Sequence, residues 1–295
     1  MTGTDHTITE GSVTANDVTF AILECGTGPL ALCLHGFPDS AWSWRHLLPR
    51  LAEAGYHAVA PFMRGYAPTA VPDNGLYQTA ALASDAVALH TALGAGPDAV
   101  IIGHDWGAPA TYGAANSAPQ LWSKVVGMAV PPGAVMSTAF LNPVQLQRSW
   151  YMFFFQHGLS DMVVPMNDLA FLDHLWSQWS PGFDATDELV HVKNALRHPA
   201  NLAAALGYYR ASLGGGLRDP ALDPIQASIN APLAQPTLYL HGADDGCIGV
   251  EWADNARPAM GHPQSQIQVV TGAGHFMQVE RPNEVNRLIV EFLAR

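Results

Sequence analysis

Lysine is almost missing from this chain. Its 295 residues hold 13 Lys and Arg against 25 Asp and Glu, for a net charge of −12. The lysines are Lys124 and Lys193 alone, and the arginines are scattered. Nucleic acids and anionic membrane surfaces need clustered cations, so neither is expected as a partner. Cysteine is scarce as well. Cys25, Cys33 and Cys247 are odd in number and far apart, which argues against a disulfide set or a metal site. They read as small buried hydrophobes in a reducing compartment. No apolar run reaches the roughly 18 residues of a membrane span. The first 16 residues are polar and lack an apolar stretch, so no signal peptide is expected and a cytoplasmic location follows. Internal repeats and low-complexity segments are missing too.

What remains is a chain that is 48% hydrophobic, ample for a large core. Its length fits about two domains, or one α/β domain with an insertion. Residues 7–25 alternate and read as an antiparallel hairpin, with turn signals at Glu10-Gly11 and Asn16-Asp17. Continuous apolar strands follow at 30–34, 57–60, 100–102, 124–130, 236–240 and 266–270, and helical patterns lie between them at 42–54 and 77–93. A terminal amphipathic helix covers 283–293. Residues 134–230 show no buried strand. They carry helical patterns at 143–156, 168–179, 187–197 and 201–212. Strands alternating with helices make a mostly parallel sheet covered on both faces. The expected organisation is a core of residues 1–133 and 231–295, with residues 134–230 as a helical lid over the carboxyl ends of the strands, where such sheets bind ligands.

The chain is organised around Gly103-His104-Asp105-Trp106-Gly107, which follows the strand Val100-Ile101-Ile102. Two glycines flank a nucleophile-type residue in a strand-to-helix turn. This is the nucleophile-elbow pattern with Asp at its centre instead of Ser. Small neighbours let strand and helix pack closely, and the helix N-terminus favours an ionised carboxylate beside it. Taken alone, Asp105 is equally well an ordinary helix N-cap. Two other strand ends favour chemistry. Asp244-Asp245 follows the strand ending at Leu240, and His275 lies in Gly272-Ala273-Gly274-His275 after the last strand. The order nucleophile, acid, base is that of the α/β-hydrolase triad. His275 needs a carboxylate to fix its tautomer, and Asp245 fits that role better than Asp244 because it completes a Gly-x-x-Asp turn from Gly242. His35-Gly36-Phe37-Pro38 follows an early strand. The backbone N–H groups of Phe37 and Trp106 are assigned as an oxyanion hole.

These segments resemble the epoxide hydrolases of the α/β-hydrolase fold. The resemblance rests on 35–45, Arg64-Gly65-Tyr66, 103–107, Gly274-His275 and two lid segments, 149–156 and 207–210. It runs from about residue 18 to the end. It implies that two lid tyrosines donate to the epoxide oxygen. The first matches Tyr151 and the second Tyr209, with Tyr208 as its rival. It implies no cofactor and no metal, an apolar epoxide as substrate, a covalent ester on Asp105, and hydrolysis of that ester by water activated by His275 with Asp245. Oligomeric state is open between monomer and homodimer.

Two alternatives stand beside this reading. A haloalkane dehalogenase resembles the chain in fold and in Asp followed by Trp at the elbow. It needs a second N–H donor, which Phe37 lacks, leaving the lid tryptophans Trp150, Trp176 and Trp179. A dehalogenase of the fluoroacetate type would favour Arg where Trp106 stands, and a serine esterase lacks its serine. A ligand-binding protein of the same fold with dulled catalysis is the other alternative. A metal enzyme has 13 histidines to draw on, but His157, His174, His191 and His198 lack close ligand spacing. The pocket is expected to take its shape from side chains such as Met152, Phe155, Leu172 and Trp176.

Overall fold

The structure, a computed structural model, describes residues 6–295. The first five residues of the polar N-terminal stretch lie outside the described residues. An eight-stranded sheet forms the centre, in the order β1-β2-β4-β3-β5-β6-β7-β8. β1 (Thr9–Ala15) and β2 (Val18–Cys25) form the expected hairpin. Its turn is at Asn16 and Asp17, both with positive φ. Glu10-Gly11 lies inside β1 instead of turning. β2 pairs antiparallel with β4 (His57–Pro61). From there the pairing is parallel through β3 (Leu30–Leu34), β5 (Val100–His104), β6 (Lys124–Met128), β7 (Thr237–Gly242) and β8 (Gln266–Val270).

Burial follows from position. β3, β5 and β7 are buried along their whole length, as strands covered on both faces must be. β8 closes one edge, and its outer positions are polar or exposed. α1 (Leu48–Glu53), α2 (Thr79–Ala92) and α3 (Gly107–Ser117) return the chain between strands, and two helices after the last strand complete the cover. The single helix read over 42–54 is instead a short 3-10 turn, Ala41–Trp44, followed by α1. Ser40 caps the turn by accepting the Trp42 N–H, and Pro49 enters at the start of α1. β6 ends at Met128, two residues before the expected boundary, because Ala129 turns out of the strand with φ 65°.

Between β6 and β7 the chain forms helices and, among the described residues, no strand. They are α4 (Val135–Ala139), α5 (Pro143–Arg148), α6 (Trp150–Phe154), α7 (Ser160–Val163), α8 (Met166–Trp179), α9 (Thr186–Leu196), α10 (Pro199–Leu213) and α11 (Asp223–Ser228). The one helix expected over 143–156 breaks into α5 and α6 at Ser149, whose side chain is engaged by Gln145. α8 opens with three left-handed residues, Asn167, Asp168 and Leu169, before regular helix begins. After β8 come α12 (Met277–Glu280) and the amphipathic α13 (Pro282–Leu293). Among the described residues no helix is long and apolar enough to cross a membrane.

One buried ion pair braces the loop after β4. Arg64 is 1% exposed and makes two bonds to Asp85 of α2. Asn16 from the hairpin turn donates to the same carboxylate at 2.7 Å. The fixed loop presents the Arg64 carbonyl to α10, where the Tyr208 hydroxyl donates to it at 2.8 Å.

Candidate active site

The carboxyl ends of β3, β5, β7 and β8 converge on one point. Asp105 follows β5 with φ 51°, a left-handed conformation that a non-glycine residue rarely adopts. The flanking glycines are required by close approach. A Cβ on Gly103 would overlap the Gly107 carbonyl, and one on Gly107 would overlap the Leu34 carbonyl. The Asp105 side chain is thereby driven out of the sheet instead of capping α3, and no side-chain cap bond forms at that helix.

Phe37 N–H donates to Asp105 Oδ1 at 2.7 Å. Asp105 Oδ2 faces His275 Nε2 at 3.5 Å. On the far side of the ring, His275 Nδ1 bonds Asp245 Oδ2 at 2.9 Å. Asp245 Oδ1 accepts two backbone N–H groups, from Cys247 at 2.7 Å and Ile248 at 2.9 Å. Asp245 is therefore a fully satisfied buried acceptor, while Asp244 is exposed beside it. His275 Nε2 is buried, and the group it faces is the Asp105 carboxylate.

The electrostatics follow from this spacing. Burial works against a charge on His275, but the Asp245 and Asp105 carboxylates outweigh it and push its pKa up to about 10. Burial likewise opposes ionisation of Asp105 and Asp245, and the facing imidazolium outweighs it, so both carboxyls stay below their ordinary value. The free site thus holds two carboxylates around one imidazolium.

The helical segment places two phenols above Asp105. The Tyr151 hydroxyl lies 3.3 Å from Cys247 Sγ. The Tyr209 hydroxyl is buried and makes no hydrogen bond of normal geometry. Its ring stands edge-on to Phe37, Trp106, Tyr151 and Phe155, with centroids 5.0–5.7 Å away. Burial holds both hydroxyls well above their ordinary pKa, so both keep their protons. Tyr208 points the other way, to the Arg64 carbonyl, with its ring stacked on Tyr77. Both Tyr151 and Tyr209 line a cavity of about 350 Å³ that also reaches Asp105 and Trp106. Further along, its wall is mostly apolar, with Met136, Phe140, Met152 and Ile229. Of the side chains expected to shape the pocket, only Met152 lines it. Phe155, Leu172 and Trp176 are fully buried in packing instead, and Trp176 stacks on Phe276 and donates to the Pro38 carbonyl at 2.8 Å.

The sequence reading missed several contributors. The Trp179 carbonyl accepts the backbone N–H of both His275 and Gly246, at 3.0 and 3.1 Å. One helix end thus pins the loops of the base and the acid. Gln145 of α5 clamps the same acid loop, donating to the Cys247 carbonyl and accepting the Gly249 N–H. Cys33 and Cys247 are buried as expected, yet Cys247 packs into the site. Neither a backbone carbonyl nor an isolated Gln or Cys has a sequence signature. Among the described residues, one group of three ligand-type side chains lies close enough to hold a cation, namely Asp245, Cys247 and His275. It includes none of the four lid histidines. Its atoms are already engaged with one another and with Tyr151.

A model of the alpha/beta hydrolase fold matches residues 29–282. Epoxide hydrolase A of Mycobacterium tuberculosis is 29% identical over 318 residues, covering 97% of each chain. Epoxide hydrolase 3 of Mus musculus is 30% identical over 275 residues, covering 91% of this chain and 71% of its own. The crystal structure of Epoxide Hydrolase A from Mycobacterium thermoresistibile superposes with a TM-score of 0.82 at 28% identity, covering 98% of both chains. The chain belongs to the α/β-hydrolase fold family and, within it, to the epoxide hydrolases.

Proposed function

We propose that this protein adds water to an epoxide and releases a vicinal diol, with residues 1–133 and 231–295 as the catalytic core and residues 134–230 as its cap. One observation carries the reading: two protonated phenols, Tyr151 and Tyr209, face an ionised carboxylate across a mostly apolar cavity. A carboxylate opens an epoxide only if the departing oxygen is stabilised, and buried O–H donors do that without a metal.

The steps follow from the atoms. Asp105 Oδ2 attacks a ring carbon while Tyr151 and Tyr209 donate to the oxygen. The product is a hydroxyalkyl ester. Oδ1, held by the Phe37 N–H, becomes the ester carbonyl oxygen and develops negative charge when water attacks. The Trp106 N–H, next in the same turn, is the second donor of that hole. Esterification also removes the charge of Asp105, one of the two carboxylates that raise the His275 pKa. The imidazolium then gives up its proton, through water, to the phenolate left by ring opening, and the neutral imidazole is a usable base. Oriented by Asp245, it takes a proton from water for the second step.

Other features support this reading over its alternatives. A dehalogenase would need a lid tryptophan as halide donor, but Trp176 is committed to the Pro38 carbonyl and Trp150 is 38% exposed. Neither these two nor Trp179 lines the cavity. A binding protein without turnover would not need the Asp105, His275 and Asp245 geometry. The substrate is a small apolar epoxide, sized by the cavity of about 350 Å³. A cytoplasmic location and action as a monomer or homodimer belong to the same proposal.

The test pairs aryl epoxides with haloalkanes. Diol that is lost in Asp105→Ala supports the reading. Halide release without diol would replace it with a dehalogenase. Neither product from folded protein would leave ligand binding, followed next by thermal shift.

A further inference from the structure

Cys247 is where the acid loop and the cap meet. Its N–H donates to Asp245 Oδ1 at 2.7 Å. Its carbonyl accepts from Gln145 Nε2 at 2.9 Å. Its sulfur lies 3.3 Å from the Tyr151 hydroxyl, and the residue is 1% exposed. The backbone is clamped on both sides, so the thiol is fixed beside Tyr151. The other phenol, Tyr209, meets Trp106 and Tyr151 but makes no hydrogen bond of normal geometry. The two phenols are therefore not equivalent.

We propose that Cys247 is a positioning residue for ring opening: its thiol holds the Tyr151 hydroxyl and supports its oxygen as the proton leaves. The proposal rests on the epoxide hydrolase reading above. Before substrate binds, either group can donate to the other. An epoxide oxygen draws the phenol O–H toward itself and leaves S–H to face the phenol oxygen. Asp105 Oδ2 then bonds to a ring carbon, and the C–O bond breaks with its electron pair staying on oxygen. That oxygen takes the Tyr151 proton. The phenolate left behind accepts the S–H hydrogen bond until the proton of the His275 imidazolium, relayed by water, returns to it. Hydrogen bonds to a charged acceptor are stronger than neutral ones. The gain therefore grows in the transition state and lowers its barrier. Alanine cannot supply this bond, but serine can. Burial also keeps the sulfur in its thiol form, so no thiolate competes with Asp105 for the epoxide.

Single-turnover kinetics on an aryl epoxide separates ester formation from ester hydrolysis. Cys247→Ala is expected to slow formation about tenfold, the scale of one hydrogen bond, and to leave hydrolysis within about twofold. Cys247→Ser is expected to recover most of the lost rate. In a Tyr151→Phe background, Cys247→Ala is expected to cost formation nothing further. Unchanged formation in folded Cys247→Ala overturns the proposal. So does equal slowing of both steps, or a full additional loss in the Tyr151→Phe background; either assigns Cys247 to the Asp245 loop alone. Should Cys247→Ala not fold, Cys247→Val takes its place in the same cycle. Failure of the underlying reading is distinguishable, because the wild type would then form no diol at all.

Discussion

Adjacent tyrosines on α10 provide a sharp test of the site. Tyr208 and Tyr209 are both about 1% exposed, so burial does not separate them. Their hydroxyls do. Tyr208→Phe removes the donor to the Arg64 carbonyl and leaves that carbonyl buried without it. Leaving a buried polar group unsatisfied costs about 1–3 kcal/mol. At about 2 °C per kcal/mol for a chain of this size, the melting temperature should fall by about 2–6 °C. The hydroxyl does not reach the cavity, so kcat should stay within about threefold. Tyr209→Phe deletes a hydroxyl that meets Trp106 and Tyr151 without a bond of normal geometry, so the melting temperature should fall less than in Tyr208→Phe. Its loss should appear in ester formation instead, at about 10- to 100-fold, because one of two proton donors is gone. Differential scanning calorimetry and single-turnover kinetics on both variants give four numbers. If Tyr208→Phe loses the activity and Tyr209→Phe the stability, the assignment of the second donor is wrong.

Three further outcomes are expected. His275→Gln removes the base but not the nucleophile, so an epoxide should leave a stable adduct on Asp105, visible by mass spectrometry of the peptide containing it; a variant with normal turnover and no adduct would exclude His275 as the base. Stability should depend on pH with a defined sign. The folded His275 pKa of about 10 lies above its ordinary 6.5, so its contribution is whole below 6.5 and is lost as pH rises toward 10. Asp105 and Asp245, held below their ordinary 3.8, stabilise above that value and cease to as pH falls beneath it. Urea midpoints across the alkaline range should therefore decline for wild type and stay flatter for His275→Gln. Gly36→Ala should yield folded but poorly active protein, since a Cβ there would overlap the Asp105 side chain. Full activity in that variant would show that the nucleophile has room to move.

Much of this protein could be read from its sequence because the governing signals are local. Strands buried on both faces must be apolar throughout, so β3, β5 and β7 stand out as uninterrupted runs. An elbow must have small flanking residues, so Gly103 and Gly107 bracket Asp105. The chain order of Asp105, Asp245 and His275 places each at a strand end, where the sheet topology brings them together. Boundaries were less legible. The break of one expected helix at Ser149 depends on its contact with Gln145, and the early end of β6 on a single left-handed residue, Ala129. The tertiary structure alone decided what depends on distant segments meeting. Periodicity cannot tell Tyr208 from Tyr209, since α10 is buried on more than one face and both positions lie inside. Only the position of the Arg64 carbonyl on one side and of Asp105 on the other separates their roles. The same holds for Trp176, turned from a candidate pocket wall into a packed ring on Phe276, and for Cys247, an isolated thiol in sequence. Pairing it with Tyr151 spans 96 positions, and no local pattern records a contact of that kind.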